Sequence, residues 1–575
     1  MKQMIKTSLK GTGVQIAVLI SCIFLSSFFS TYPVKVVEDL INACVERKGI
    51  RVILLIGGAY LLFEILQAVF NMLTSLFSEK LEIQISHNMR TGIFGKLERL
   101  PMSFFATTDS SDLMFRMMQD ASVSASGILQ SIILLTQNLI MFGMGFYFMW
   151  SIDWRITIVM IPIGIMMILV SSKSGRVTER LTETQRTAME KMWGKFNESI
   201  RGIKEIKSFS KKKEFYGRIA EVSENTNKKT YRLKKFILSV ECLYSMMFMG
   251  VIALIMIYGG YQVSVGMLSI GGLSALMMYN GMLTDPMLNF FNIYQDIRQI
   301  MVSVKKIQEI MDKPEEDYGE NLPRYSEFSR SICFQDVSFR YGKEPVLQKI
   351  NLNIQKGQKV ALIGTSGSGK STLCSLLMRF YIPQEGKIML DDRKLDEISL
   401  SDLRRICGIV FQDISLWSGT VLENIRLGNP TASEEETERV IRIAGLQSVL
   451  EKLPNGLQTQ VGEGGTQLSG GERQRVSIAK TLLSNPEILM LDESMSALDP
   501  VNTMQITENI LKEYPQKTIV FTAHKLIGLV ERCDKIVYLE KGEICAEGSH
   551  KELMEKESVY RDFYNAQFGK EELSV

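Results

Sequence analysis

The chain has 575 residues, of which 46% are hydrophobic and 22% charged, and a formal net charge of +3. That length exceeds what a single hydrophobic core serves, so two or more domains are expected. A charge so near balance excludes the strong basic field of a nucleic-acid binder, and three histidines (His87, His524 and His550) are too few for a histidine-based metal site.

The N-terminal half alternates apolar runs with charged segments. Runs at residues 14–32, 52–77, 128–150, 156–171, 236–260 and 270–294 are candidate spans, most of them near the ~20 residues that cross a bilayer core. Lys2, Lys6 and Lys10 ahead of the first run would suit a signal peptide, but that explains none of the later runs, so the first is read as a span. Lys and Arg crowd residues 78–127 and 172–235, whereas the links 151–153 and 261–269 have none. By the positive-inside rule, both long segments and both chain ends lie on the cytosolic side of a cytoplasmic membrane.

The two long segments read as helices that extend beyond the bilayer, each bending through a short helix, expected at residues 110–116 and 203–209. Glu64, Glu241 and Asp285 fall in or near spans, where an unpaired carboxylate is costly, so they are expected to face a cavity or a partner helix. The sixth run carries Asn280, Thr284, Asn289 and Asn292 around Pro286 and is expected to line a translocation path; helix–helix hydrogen bonding is the alternative for Asp285 and Glu64. The eight cysteines have no paired metal-ligand spacing and suit a reduced, cytosolic setting.

Residues 1–311 are therefore expected to form a helical membrane domain, residues 312–330 a charged linker, and residues 331–575 a soluble domain whose short apolar strands alternate with helical patterns, an α/β architecture. Tyr341 ends its first strand pattern, where an aromatic ring could stack on a base. Next comes Gly364-Thr365-Ser366-Gly367-Ser368-Gly369-Lys370-Ser371, with Thr372 beside it, between the apolar strand 360–363 and a helical pattern. This is a P-loop: glycines let backbone amides curl around phosphate oxygens, Lys370 reaches the outer phosphates, and Ser371 can hold Mg²⁺. ATP and Mg²⁺ are the expected ligands.

Gln412 is placed to complete the metal's coordination and orient water. In Leu468-Ser469-Gly470-Gly471-Glu472-Arg473-Gln474 a second glycine-rich helix start offers another phosphate-binding terminus, and one nucleotide does not need two cradles. The economical explanation is that this one caps the nucleotide of a second subunit. Residues 488–491 form an apolar strand ending in Asp492 and Glu493, with Asp492 expected on Mg²⁺ and Glu493 polarising the attacking water. His524 follows another apolar strand and is expected to contact the transferred phosphate.

Taken in this order, the P-loop, Gln412, the Leu468–Gln474 motif, Asp492-Glu493, Ser496-Ala497-Leu498-Asp499 and His524 resemble an ATP-binding cassette (ABC) transporter. The arrangement is similar to an exporter-type (type IV fold) half-transporter, with six spans fused ahead of the ATPase. Leu100-Pro101-Met102-Ser103-Phe104-Phe105, Leu416-Trp417-Ser418-Gly419-Thr420-Val421 and Val461-Gly462-Glu463-Gly464-Gly465 carry the likeness further, and by it Glu463 inherits a role in communication with the membrane domain. Ser494-Met495 stands where the family usually has Ala and Thr, and Ser111 where a glycine is common. No peptidase-like domain precedes the first span, which argues against an exporter that cleaves its cargo.

The resemblance implies alternating access by a dimer, formed with a second copy or a related half-transporter. Two ATP molecules would each lie between the P-loop of one subunit and the Ser469–Glu472 motif of the other. The expected cargo is an amphipathic drug, lipid or peptide leaving the cell. An importer on the same fold, a soluble regulatory ATPase and an ATP-gated channel are the alternatives.

Overall fold

The computed structural model describes residues 12–493, 495, 498–523 and 529–568, and the chain divides into two compact units. One comprises Met1–Arg99 and Thr108–Pro314, the other Leu100–Thr107 and Glu315–Val575. The side chains of some helical residues, Ser111, Asp285 and Asn292 among them, and that of Glu463 lie outside the described set.

The first unit is helical. Among the described residues, four stretches, Gly13–Val45, Ile50–Leu97, Asp112–Ile152 and Lys212–Ser264, are long and apolar enough to cross a membrane. Helices Trp154–Arg201 and Ile270–Met311 complete the bundle, the latter lying along Ala121–Ile152 and the former along Lys212–Ser264. Ile50–Leu97 has 48 residues. At 1.5 Å per residue such a helix is roughly 70 Å long, more than twice a ~30 Å bilayer core, so its charged end must leave the bilayer. Leu54, Leu55, Leu61, Leu62 and Ile65 face outward on this helix, as a lipid-facing surface requires.

The link between the first two candidate spans is largely helical. Pro33 opens Pro33–Val45 at a position whose N–H needs no partner, so the chain carries on helically from Thr31. The short helix expected at residues 110–116 is present as Ser110–Phe115. Ser110–Phe115 runs through a π-turn, Arg116–Asp120, into Ala121–Ile152, with Arg116 bonded to Asp112 (2.8 Å) and to the Lys306 carbonyl (3.1 Å). A separate short helix is Met102–Thr107, inside the segment that groups with the second unit. Pro101 is the reason, since it cannot continue the helix that ends at Leu97. The second expected bend is helical over Ile203–Ser208.

Asn280 and Thr284 are buried inside the unit, and Asn138 accepts a hydrogen bond from Asn289 at 3.3 Å. Asn289 on the helix Ile270–Met311 therefore meets the helix Ala121–Ile152 in this conformation. Glu64 and Glu241 are exposed on the surface of the unit.

The second unit holds two sheets. β1 (Ser331–Phe339), β2 (Leu347–Gln355), β4 (Glu385–Leu390) and β5 (Arg393–Lys394) form an antiparallel sheet in the order β2-β1-β4-β5. The other, β10-β9-β3-β8-β7-β6, comprises β3 (Lys359–Gly364), β6 (Cys407–Val410), β7 (Ile488–Asp492), β8 (Thr518–Ala523), β9 (Lys535–Glu540) and β10 (Glu543–Gly548). It is parallel except at β10. Its central strands are covered on both faces: Ala361, Ile363, Leu489 and Leu491 enter one apolar cluster, while Val360, Leu362, Ile488 and Met490 enter another. That two-sided burial is why β3 and β7 read as unbroken apolar runs.

The expected linker is partly built into this unit. Phe328 is fully buried beside Ile332 and Phe334. Asp391 accepts hydrogen bonds from the Tyr325 hydroxyl (2.6 Å), the Ser329 amide (2.8 Å) and hydroxyl (2.9 Å), and the amides of Arg330 (2.6 Å) and Ser331 (3.1 Å). Burial alone would push this carboxyl up, but the bonds from Tyr325, Ser329 and Arg330 outweigh it and hold the group below its usual range. A depressed carboxylate adds stability above its unfolded pKa, about 3.9, and loses it as pH falls through the lower folded value. Asp391→Asn should therefore lower the melting temperature at pH 7, and thermal melts should show the gap to wild type closing below about pH 4.

Candidate functional site

The C-terminal ends of β3, β7 and β8 lie side by side, with Ile363 level with Ala523 and Asp492 level with Thr522. Such strand ends are where open parallel sheets bind ligands. β3 leads into the loop Gly364–Gly369, and helix Lys370–Leu377 follows. Gly364 and Gly369 have φ of +150° and +103°, which L side chains rarely adopt. A Cβ on Gly364 would lie 2.1 Å from the Leu539 carbonyl oxygen, and one on Gly369 would lie 2.5 Å from Leu347 Cδ2. Gly367, at +77°, faces open space. The loop is thus pressed against the domain at its ends and free at its middle.

Lys370 is only 3% exposed. Its ammonium donates to the carbonyls of Gly364 and Thr365, each at 3.0 Å, and lies 3.9 Å from Glu493 Oε1. Burial lowers its pKa, and Glu493 and Asp492 offset part of that shift. Ser371 donates to Asp492 Oδ1 at 2.8 Å, and the Thr522 hydroxyl donates to the same oxygen at 2.7 Å. Thr522 also accepts from the Glu493 amide at 2.9 Å. Glu493 itself has φ of +44°, a strained backbone for a non-glycine residue of the kind that clusters at functional sites. Its carboxylate accepts from Gln412 Nε2 at 2.9 Å.

Tyr341 is half exposed, packs edge-on against Phe339 and Tyr381 (each 4.9 Å between centroids), and lies 3.3 Å from the Thr372 hydroxyl. The structure thus gathers the P-loop, Gln412, Asp492 and Glu493 at one point, with Tyr341 tied to the P-loop helix. Ser469 and Glu472 instead cap their own helix, Gly470–Leu483: the Ser469 amide donates to Glu472 Oε2 at 2.7 Å and its hydroxyl accepts from the Glu472 amide at 3.4 Å. Glu463 lies in a short turn next to Gly464, whose φ is +62°. His524, Ser494, Ser496 and Ala497 lie outside the described residues.

The residue that sequence reasoning missed is Thr522. Its hydroxyl joins Asp492 to the Glu493 backbone, and its signal was a hydroxyl near the end of an otherwise apolar strand.

This is a P-loop ATPase domain on a chain that also carries a helical membrane domain. Residues 13–287 match the family described as ABC transporter transmembrane region, and residues 347–496 match that described as ABC transporter. An ATP-dependent lipid A-core flippase of Desulfotalea psychrophila is 30% identical over 537 residues, 92% of this chain and 93% of that one. The uncharacterized ABC transporter ATP-binding protein YfiC of Bacillus subtilis is 31% identical over 84% of this chain and 80% of its own length. The solved structure of a bacterial Atm1-family ABC exporter with ATP bound matches in fold, with a TM-score of 0.87, 23% identity, and coverage of 98% of this chain and 99% of that one. The chain belongs to the ABC transporter family: it is an ATP-hydrolysing membrane transporter with both parts fused in one polypeptide.

Gly364→Ala should abolish binding of a fluorescent ATP analogue, because the clash is with fixed backbone. Gly367→Ala should weaken binding only by the strain of its positive φ, about 1 kcal/mol or roughly fivefold in Kd. Equilibrium titration of the two variants side by side checks the contrast.

Proposed function

We propose that the chain exports or flips an amphipathic substrate across the cytoplasmic membrane as a dimer, with six spans, both termini and the ATPase domain cytosolic, and ATP hydrolysed at sites shared between subunits. The proposed domains are the membrane domain 1–311, the linker 312–330 and the ATPase domain 331–575. The observation that carries the reading is the shared point at which Ser371, Asp492, Gln412 and Glu493 meet. Two relatives, the flippase above and an alpha-hemolysin translocation ATP-binding protein of Escherichia coli at 39% identity over 312 residues, support outward transport of membrane-active cargo.

In this reading the amides from Gly364 to Gly369 and Lys370 hold the phosphates, with Thr372 at the helix start and Tyr341 against the base. Ser371 and Asp492 offer two hard oxygens 2.8 Å apart, and with the Gln412 amide they suit Mg²⁺, which takes few protein ligands beside water and phosphate. When bound, Mg²⁺ supplies charge neutralisation at the outer phosphates. Glu493 takes the proton of the attacking water, held by Gln412, and His524 contacts the transferred phosphate. Ser469, Gly470, Gly471 and Glu472 face the partner's nucleotide. Closing and opening of this sandwich shifts the membrane domain between inward and outward states.

Glu493→Gln in the full chain, reconstituted in lipid nanodiscs, should lower phosphate release about 10²–10⁴-fold while nucleotide still binds. Undiminished turnover would remove Glu493 from this role. A well-folded wild-type chain with no turnover alone would replace the homodimer by a pair with a second subunit.

A further inference from the structure

Where the chain enters the second unit, residues 316–318 are gripped by two arginines from different elements. Arg404, in helix Leu400–Ile406, donates one nitrogen to both carboxylate oxygens of Glu316, at 3.0 and 3.1 Å. Its guanidinium carbon lies 5.9 Å from the Tyr318 ring centroid and 5.6 Å from that of Phe380, so it is stacked between the tether and the domain. The Phe380 ring in turn lies 6.0 Å from Phe411, the residue immediately before Gln412. Gln412 bonds to Glu493.

The second grip is Arg379. It follows the helix that starts at Lys370, in a left-handed conformation with φ of +53°. It donates to the backbone carbonyl of Asp317, and to those of Leu395 (2.8 Å) and Ile398 (2.7 Å). The Leu400 amide donates to the Tyr318 carbonyl at 3.0 Å, closing the ring of contacts. Both walls of the nucleotide site, the P-loop helix and the strand end bearing Gln412, thus end on the same three residues of the tether.

We propose that residues 316–318 are a positioning element of the ATPase site: Arg404, through Phe380 and Phe411, sets the placement of Gln412 against Glu493, and Arg379 anchors the far end of the P-loop helix. The tether continues the helix Ile270–Met311, so a pull on it reaches the catalytic carboxylate by a route inside the second unit. None of these residues touches the reacting atoms. The inference rests on the role given above to Glu493 and Gln412.

The test is steady-state ATPase kinetics of the full chain in lipid nanodiscs, with thermal melts on each sample. Arg404→Lys keeps the charge beside Glu316 but loses the planar stack on Phe380, and Glu316→Gln removes the charge pair at a partly exposed site. Each should lower kcat by about twofold to thirtyfold and leave the KM for ATP within about twofold, as loss of coupling rather than of binding requires. Glu316→Gln combined with Phe380→Leu should be no slower than the slower single variant, because both cut one route. Unchanged kcat in Glu316→Gln, effects that multiply in the double variant, or losses that merely track melting temperature would overturn the proposal. Glu493→Gln is run alongside. If it still turns over, the catalytic assignment falls and the tether's target with it; if it is inactive while the tether variants match wild type, only the tether's role falls.

Discussion

Asp492 Oδ1 is the point on which the soluble unit turns. The residue is 6% exposed, and a carboxylate so desolvated is tolerated only with donors on it. Its two donors come from different elements: Ser371 from the first turn after the P-loop and Thr522 from the neighbouring strand. One oxygen therefore sets the helix start against the ends of β7 and β8. The amide of the next residue is held by Thr522 as well, through its hydroxyl at 2.9 Å and its carbonyl at 3.3 Å. Glu493 turns to φ of +44° there and projects its carboxylate between Lys370 and Gln412. The same threonine thus holds both the Asp492 carboxylate and the strained backbone of Glu493.

Motifs whose physics is local were legible in the chain. The glycines at 364 and 369 announce a loop that only glycine can form, and the apolar runs before Gly364 and Asp492 announce buried parallel strands. The docked tether was not legible. Ser329 and Asp391 meet across 62 residues of sequence, and a charged, proline-bearing stretch reads as a spacer until its partners are in view. The short helix at Ser110–Phe115 was legible, but its continuation through a π-turn and the tie from Arg116 to Lys306 were not.

In the membrane unit the polar residues of the sixth helix show what sequence can and cannot assign. Asparagines in an apolar run must be satisfied by something, and composition alone does not say whether water, cargo or a neighbouring helix does so. Here Asn289 finds Asn138 on the third helix, while the fully buried Asn280 amide has no hydrogen-bond partner among the described residues. A buried amide left unmet costs on the order of 1–3 kcal/mol, so this one favours any state that gives it a partner.

That cost has a counterpart in the soluble unit. There the tether is held by a shared arginine nitrogen, a stacked guanidinium and backbone contacts, and among the described residues of this clamp the one comparable orphan is Arg404 Nε. A machine that alternates between two states needs one element that yields and one that does not. The arginine grips on residues 316–318 have the properties of the second.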